Sequence, residues 1–344
     1  MKKQFVVLLI FIISVAFISA KEITQQSSWG VEFAYYLDDN DGKNANNGFT
    51  WPHYSPIEVP SSSYPDDLDE GRPLGSGWGS VELQVYLDHT ITVPFLQGSG
   101  PLTKGNNVQF GFRGYLAPVV AYAQAKAVIT PIAFLNFGAG YSIGSGWAGL
   151  GFNGIGLNND GTGIPESDPF PGAVMETWMS GTFQFDMAAV VPGEWNHVVV
   201  VASGKLKNMY FTAAGDNDAW QWKADDGENF NGNMFLGTYV LGYQMPLLVD
   251  MVGFMVETEQ YLGDVKDMST MDEKGWGSDF VEVKFGPLVN VTFDDKNSLT
   301  TLVQLKTDRL YSDDTIHDNY YETRSYESTF VKIHRVALAY KHKF

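Results

Sequence analysis

A chain of 344 residues with 40 acidic and 22 basic side chains is too acidic for nucleic acid as a partner, or for a basic patch that would hold anionic lipid headgroups. It has no cysteine, so it is neither a disulfide scaffold nor a lipoprotein. No apolar run after the first twenty residues reaches 18, the nearest being Met245 to Val256 with Pro246 and Asp250 inside it, which excludes a helical membrane protein.

Met1 to Ala20 joins Lys2 and Lys3 to an apolar run, Phe5 to Ile13, and to a small-residue end at Ser19 and Ala20. This is the layout of a secretory signal peptide cut after Ala20, although Ile18 is bulkier than the residue usual at its position. Residues 21–344 are then a single domain with 20 basic and 40 acidic side chains. With 36 Gly, 23 Phe and 17 Tyr, and almost no helical period, that domain reads as all-β.

Period-two alternation predicts the strands in order. Ser28–Leu37 comes first, with Trp29, Val31, Phe33 and Tyr35 on one face, followed by a Pro-, Ser- and Asp-rich stretch, Asp38–Ser76. Gly77–Phe95 sets Val81, Leu83, Val85 and Leu87 against Glu82, Gln84, Tyr86 and Asp88. Beyond the turn at Gly98–Asn107 come Val108–Ala117, with Phe110 and Phe112 against Gln109 and Arg113, and Val119–Thr130, with alternate alanines against Tyr122, Gln124 and Lys126. Ile132–Ile143 leads into a Gly-rich loop, 144–172. Ala173–Val190 sets Met179, Phe183 and Phe185 against Glu176, Gln184 and Asp186, and turns at Val191–Asn196 into Asn196–Lys207. A polar segment, 208–232, precedes Asn233–Gln244, which turns at Met245 and Pro246 into Leu247–Tyr261. Ser278–Phe293 and Leu299–Tyr311 follow, and Tyr326–Phe344 is last.

These are about twelve strands, ten to fourteen if 209–222 supplies a further pair. Long and short connections alternate between them, except at Pro118, where a long one is due and a short one stands. Five long segments (39–76, 144–172, 208–232, 262–277 and 312–325) hold 23 of the 40 acids and 6 of the 20 basic residues, leaving the strands and turns nearly balanced. Trp29, Trp78, Trp147, Trp178, Trp195 and Trp276 fall at or near strand ends, where an interfacial aromatic girdle would sit.

The last strand ends on an aromatic residue with apolar residues at alternate positions before it: Val336, Leu338, Tyr340 and Phe344. It resembles the C-terminal assembly signal of bacterial outer-membrane β-barrel proteins, with His342 departing from the apolar residue usual there. The resemblance implies a transmembrane antiparallel β-barrel with short periplasmic turns and long acidic outer loops, its last strand closing on its first. It also implies an outer-membrane location, outer-membrane lipid and the barrel-assembly machinery as partners, and a porin-like function: passive diffusion of small hydrophilic solutes. Charge on the lipid face costs about 2–4 kcal/mol near the midplane. The charges within strands should therefore point inward, making Glu82, Gln84, Arg113, Lys126, Glu176, Asp186, Gln304, Lys306 and Asp308 the expected lumen lining. Outer carboxylates concentrate cations, so a preference for cations or neutral solutes is expected. The alternative is a non-conducting barrel that anchors surface loops acting as adhesin or antigen.

No motif points to catalysis, a metal or a cofactor. The six histidines are scattered without metal-ligand spacing, and His197 with Asp186 across the 191–196 turn lacks a serine in reach. Asp38–Gly42 and Asp225–Asn229 read as Asp and Gly turns rather than calcium loops, because Leu37 and Gly48 occupy positions that an EF-hand gives to ligands. The glycines of 138–146 lack the lysine and following helix of a phosphate loop, and read as strand glycines.

Overall fold

The structure, a computed structural model, describes residues 23–36, 81–149, 152–157, 169–223, 228–311 and 325–344. Asp38–Ser76, with Trp78, lies outside them, as do the segment read as a signal peptide and 16 of the 23 loop carboxylates counted above.

Sixteen strands occur among the described residues: β1 (Thr24–Tyr36), β2 (Val81–Pro94), β3 (Asn107–Leu116), β4 (Val120–Ile132), β5 (Leu135–Gly146), β6 (Ala148–Gly149), β7 (Phe152–Asn153), β8 (Ile155–Leu157), β9 (Val174–Asp186), β10 (His197–Phe211), β11 (Trp220–Trp222), β12 (Gly232–Gln244), β13 (Val249–Leu262), β14 (Glu282–Thr292), β15 (Asn297–Tyr311) and β16 (Tyr326–Lys343). Twelve of them close into one antiparallel barrel, each paired with its neighbour in the chain and β16 returning to β1. The other four form two small sheets, β6 with β7 and β8 with β11. All twelve strands read from the sequence are the strands of the barrel. The 209–222 segment adds none to it: β10 runs on to Phe211, and β11 belongs to a connection.

The closing register pairs Val31 with Tyr340, Phe33 with Leu338 and Tyr35 with Val336, so the apolar stripe of β16 continues that of β1. At the same end the Phe344 N–H donates to Ser27 O (3.0 Å), and the Tyr340 hydroxyl donates to Asn297 Oδ1 (2.6 Å). His342, the departure from the expected pattern, bonds the same Asn297 oxygen through Nδ1 (2.8 Å).

Tracing the pairs around the ring puts the ion-paired and amide side chains of the strands on one face and a run of exposed large apolar residues on the other. The outward face carries Leu87, Phe112, Phe137, Met179, Leu206, Leu241 and Phe254, all exposed. A continuous apolar belt of this size on a closed barrel is a membrane surface rather than a soluble one. Strands of 10 to 18 residues suffice to cross a bilayer, which takes about 9–11 when tilted.

The β3–β4 connection is only Ala117–Val119, so the exception seen at Pro118 is real. The tryptophans do not make a complete girdle. Trp29 and Trp195 are exposed near the end that holds the chain termini. Trp178 lies on the inward parity of β9, in mid-strand, and Trp276 is buried against Phe230 with the rings stacked at 5.2 Å. Each strand-end position was read from sequence distance alone, which does not distinguish lipid, lumen and loop core.

Candidate functional site

The inward face of the barrel divides into two walls and a cover. The first wall, β13 to β16, carries a ladder of alternating charge. Lys284 Nζ meets Glu282 at 2.6 Å and Glu259 at 3.5 Å, Lys306 meets Glu282 and Asp308 at 3.4 Å each, and Lys332 meets Asp308 at 2.6 Å. The register makes this geometry: Glu259 pairs with Glu282, Lys284 with Lys306, and Lys306 with Lys332, so charges at period two stand side by side across strands. Beside the ladder, Arg335 Nε donates to Gln304 Oε1 (2.7 Å), and Gln304 Nε2 donates to Glu257 Oε2 (2.6 Å). Gln304 is fully buried yet satisfied on both sides, as a buried amide must be.

From β1 to β4 the wall is aromatic and hydrogen-bonded. Arg113 Nε donates to Asp88 Oδ2 (2.7 Å), a second guanidinium nitrogen reaches the same oxygen, and Nη1 donates to the Tyr115 hydroxyl (3.0 Å). The guanidinium also stands 4.5 Å from the Tyr86 ring centre. Tyr115 stacks on Tyr122 at 4.1 Å. Gln84 donates to Glu32 and accepts from the Tyr122 hydroxyl (3.3 Å).

The second wall, β4 to β10, carries lysines of a different kind. Lys126 lies across Gly111, where a Cβ would stand 2.8 Å from its Cε. Trp178 lies flat over Gly138 and Gly140, and Lys205 Nζ sits 5.1 Å from its ring centre. Glycine at 111 and 140 is what lets these long side chains lie against the wall. Lys207 pairs in register with Trp178. None of Lys126, Lys205 and Lys207 has an ion-pair partner among the described residues. The nearby carboxylate of Glu176 accepts from Ser142 Oγ (3.0 Å).

The cover sits at the end of the barrel opposite the termini. β8 and β11, from the β5–β9 and β10–β12 connections, pair with each other and bury Ile155, Trp220 and Trp222 against Val120, Val174, Met209, Phe211 and Met234, which face inward from four barrel strands. Lys223, just after β11, donates from its backbone to Gly154 O (2.8 Å) and from Nζ to the Tyr122 hydroxyl (2.9 Å). The cover is thus tied to the tyrosine wall. A second cluster, Ala219, Phe230, Val265 and Trp276, extends it toward β13. Arg309 clamps its edge, donating to Glu228 Oε2 at 2.6 Å.

All nine residues expected to line the lumen are on the inward parity. Gln84, Arg113, Gln304, Lys306 and Asp308 are bound into the networks above, and Glu82 shares the face of Gln84. Asp186 lies at the terminal rim, where it caps a short turn through the Ala188 N–H (3.0 Å) and bonds His197 Nδ1 (2.7 Å). Sequence reading missed Glu32, Glu257, Glu259, Glu282, Lys284, Lys205 and Lys207. Their signal was present as charges two apart in otherwise apolar strands. It also missed the cover, whose mark was Trp220 and Trp222, two apart inside a polar connection.

No family model matches the chain, and no curated protein does. Among solved structures the chain is similar to the KdgM porin in complex with disordered oligogalacturonate (9% identity, TM-score 0.34, covering 76% of this chain and 95% of that one). It is also similar to an outer membrane channel from Pseudomonas putida F1 (10%, TM-score 0.40, 94% and 97%) and to the outer membrane channel DcaP of Acinetobacter baumannii (8%, TM-score 0.35, 94% and 97%).

Proposed function

We propose that the protein is an outer-membrane channel through which small hydrophilic solutes diffuse. The observation that carries this reading is the division of the barrel: an unbroken apolar belt outside, and hydrogen-bonded charge inside. A barrel that served only as an anchor would be stable with an apolar or small-residue filling, whereas charges that face a lumen of water keep their hydration. The outward stripe Val336, Leu338 and Tyr340, ending at Phe344, supports insertion by barrel-assembly machinery into outer-membrane lipid. The cover narrows the outer mouth, resting on β4, β9, β10 and β12 and reaching Arg309 of β15.

A preference for cations or neutral solutes rests on the acidic connections, and it describes the approach to the mouth. Planar-bilayer recording of the detergent-folded protein tests the reading. Stepwise conductance is expected, and its absence at all voltages would leave the barrel an anchor for its loops.

A further inference from the structure

The lysine wall has chemistry that the rest of the lumen lacks. Elsewhere inside the barrel Arg113 is held by Asp88, Lys284 and Lys306 by Glu282, Lys332 by Asp308 and Arg335 by Gln304. Lys126, Lys205 and Lys207 converge around Trp178 without such partners. The charge of Lys126 lies near enough to feel Lys205, Arg113 and Lys341, which comes from the far side of β1–β3. The carboxylates within the same reach are Asp88, Glu259 and Glu176. Asp88 is held by Arg113 and Glu259 by Lys284, so of the carboxylates that bear on Lys126 and Lys205 only Glu176 has no cation paired with it. The indole N–H of Trp178 is buried against Gly140 without an acceptor, and its ring face meets Lys205.

Like charges gathered in a confined, partly desolvated space repel one another, and the repulsion is relieved by an anion. A protein that needed these lysines only for folding would place carboxylates between them, as it does across β13–β16. We infer that Lys126, Lys205 and Lys207, backed by Lys341, form a binding site within the lumen for small solutes bearing carboxylate or phosphate groups. The inference rests on the channel reading for its role in transport, but not for the binding itself. It makes the lumen opposite in sign to the acidic approach: the outer loops would set which solutes arrive, and the lysine wall which ones linger and pass.

The test uses the full detergent-folded barrel with inorganic phosphate and citrate as probes. Calorimetric titration should show binding, weakened about tenfold or more in K126Q/K205Q/K207Q and retained in K126R/K205R/K207R, with heat-modifiable gel mobility reporting that each variant is folded. In bilayers the wild type should show current interruptions by phosphate that are lost in the glutamine variant. Absence of binding to the wild type, or equal binding by the folded glutamine variant, overturns the site. If the glutamine variant does not fold, the wild type decides: current uninterrupted by phosphate overturns the site. Binding by a wild type that does not conduct upholds the site and removes the channel reading.

Discussion

The two walls of the lumen hold similar numbers of lysines and use them differently. On β13–β16 Lys284, Lys306 and Lys332 each touch a carboxylate on their own or a neighbouring strand, and the ladder knits four strands together. On β4–β10 Lys126 lies over glycine and Lys205 over tryptophan, with no carboxylate of the described residues in contact. A charge whose partner is covalently fixed nearby is spent on the fold, while a charge left without one is available to whatever passes. The lysine wall does not lack stiffness for want of ion pairs, since its outer end is seated under the apolar cover built on Trp220 and Phe211.

That contrast can be broken from either side. The largest effect is expected at the cover. Trp220 is fully buried, and Trp220→Ala should cost about 3–5 kcal/mol in urea unfolding from lipid, and should also raise single-channel conductance by freeing β8 and β11 from the mouth. Next comes the ladder. Glu282→Gln strands Lys284 and Lys306 without their shared carboxylate, and about 2 kcal/mol of stability should be lost. That is less than the ~3–5 kcal/mol of a fully buried pair, because a quarter of the side chain is open. On the opposite wall, Lys205→Gln should change stability by less than about 0.5 kcal/mol while weakening phosphate binding. Equal losses of stability at 282 and 205 would erase the distinction between the walls.

The smallest effect is expected outside both walls. Asp294, in the β14–β15 turn, accepts from the Asn297 side chain and from the Lys296 and Asn297 N–H groups. The Asn297 side-chain bond above all holds its carboxyl below the usual 3.8. A depressed carboxyl stabilises the fold above its unfolded value and ceases to do so as pH falls through the folded one. Asp294→Asn should therefore lower the melting temperature slightly at neutral pH and converge with the wild type at acid pH, which flattens the acid limb of the profile.

The barrel itself was legible because period two persists for ten or more residues in strand after strand, and because turns and long connections alternate between them. Ala121 to Ala127 against Tyr122, Gln124 and Lys126 is enough to fix a face without any structure. The division of labour inside was not legible. Which lysine meets which carboxylate depends on the register between strands far apart in sequence, as with Lys306 and Lys332, and period two says nothing about register. The cover was hidden for another reason. Ile155 and Trp220 lie in segments whose glycine and acid content reads as loop, and their burial comes from the barrel mouth they enter rather than from any local pattern. Trp178 shows the limit of counting positions: tryptophan suits a lipid interface, a lumen wall and a loop core equally well.

One seam carries a consequence for how the molecule is made. Eleven of the twelve junctions in the ring join strands adjacent along the chain, and such hairpin-like pairs form with little loss of chain freedom. The twelfth, β1 with β16, joins the two ends of the domain and closes the longest loop of chain. Until it closes the protein is an open sheet with two unsatisfied borders, each able to pair with another copy. The aromatic group at the seam, with Trp29 edge-on to Tyr340 at 5.5 Å and His342 edge-on to Phe344 at 5.7 Å, then acts as a latch for that single late event. Removing Phe344 should slow closure and leave aggregates, whereas His342→Ala should leave most molecules closed. Pulse-chase gel mobility would read the difference as time, not as stability.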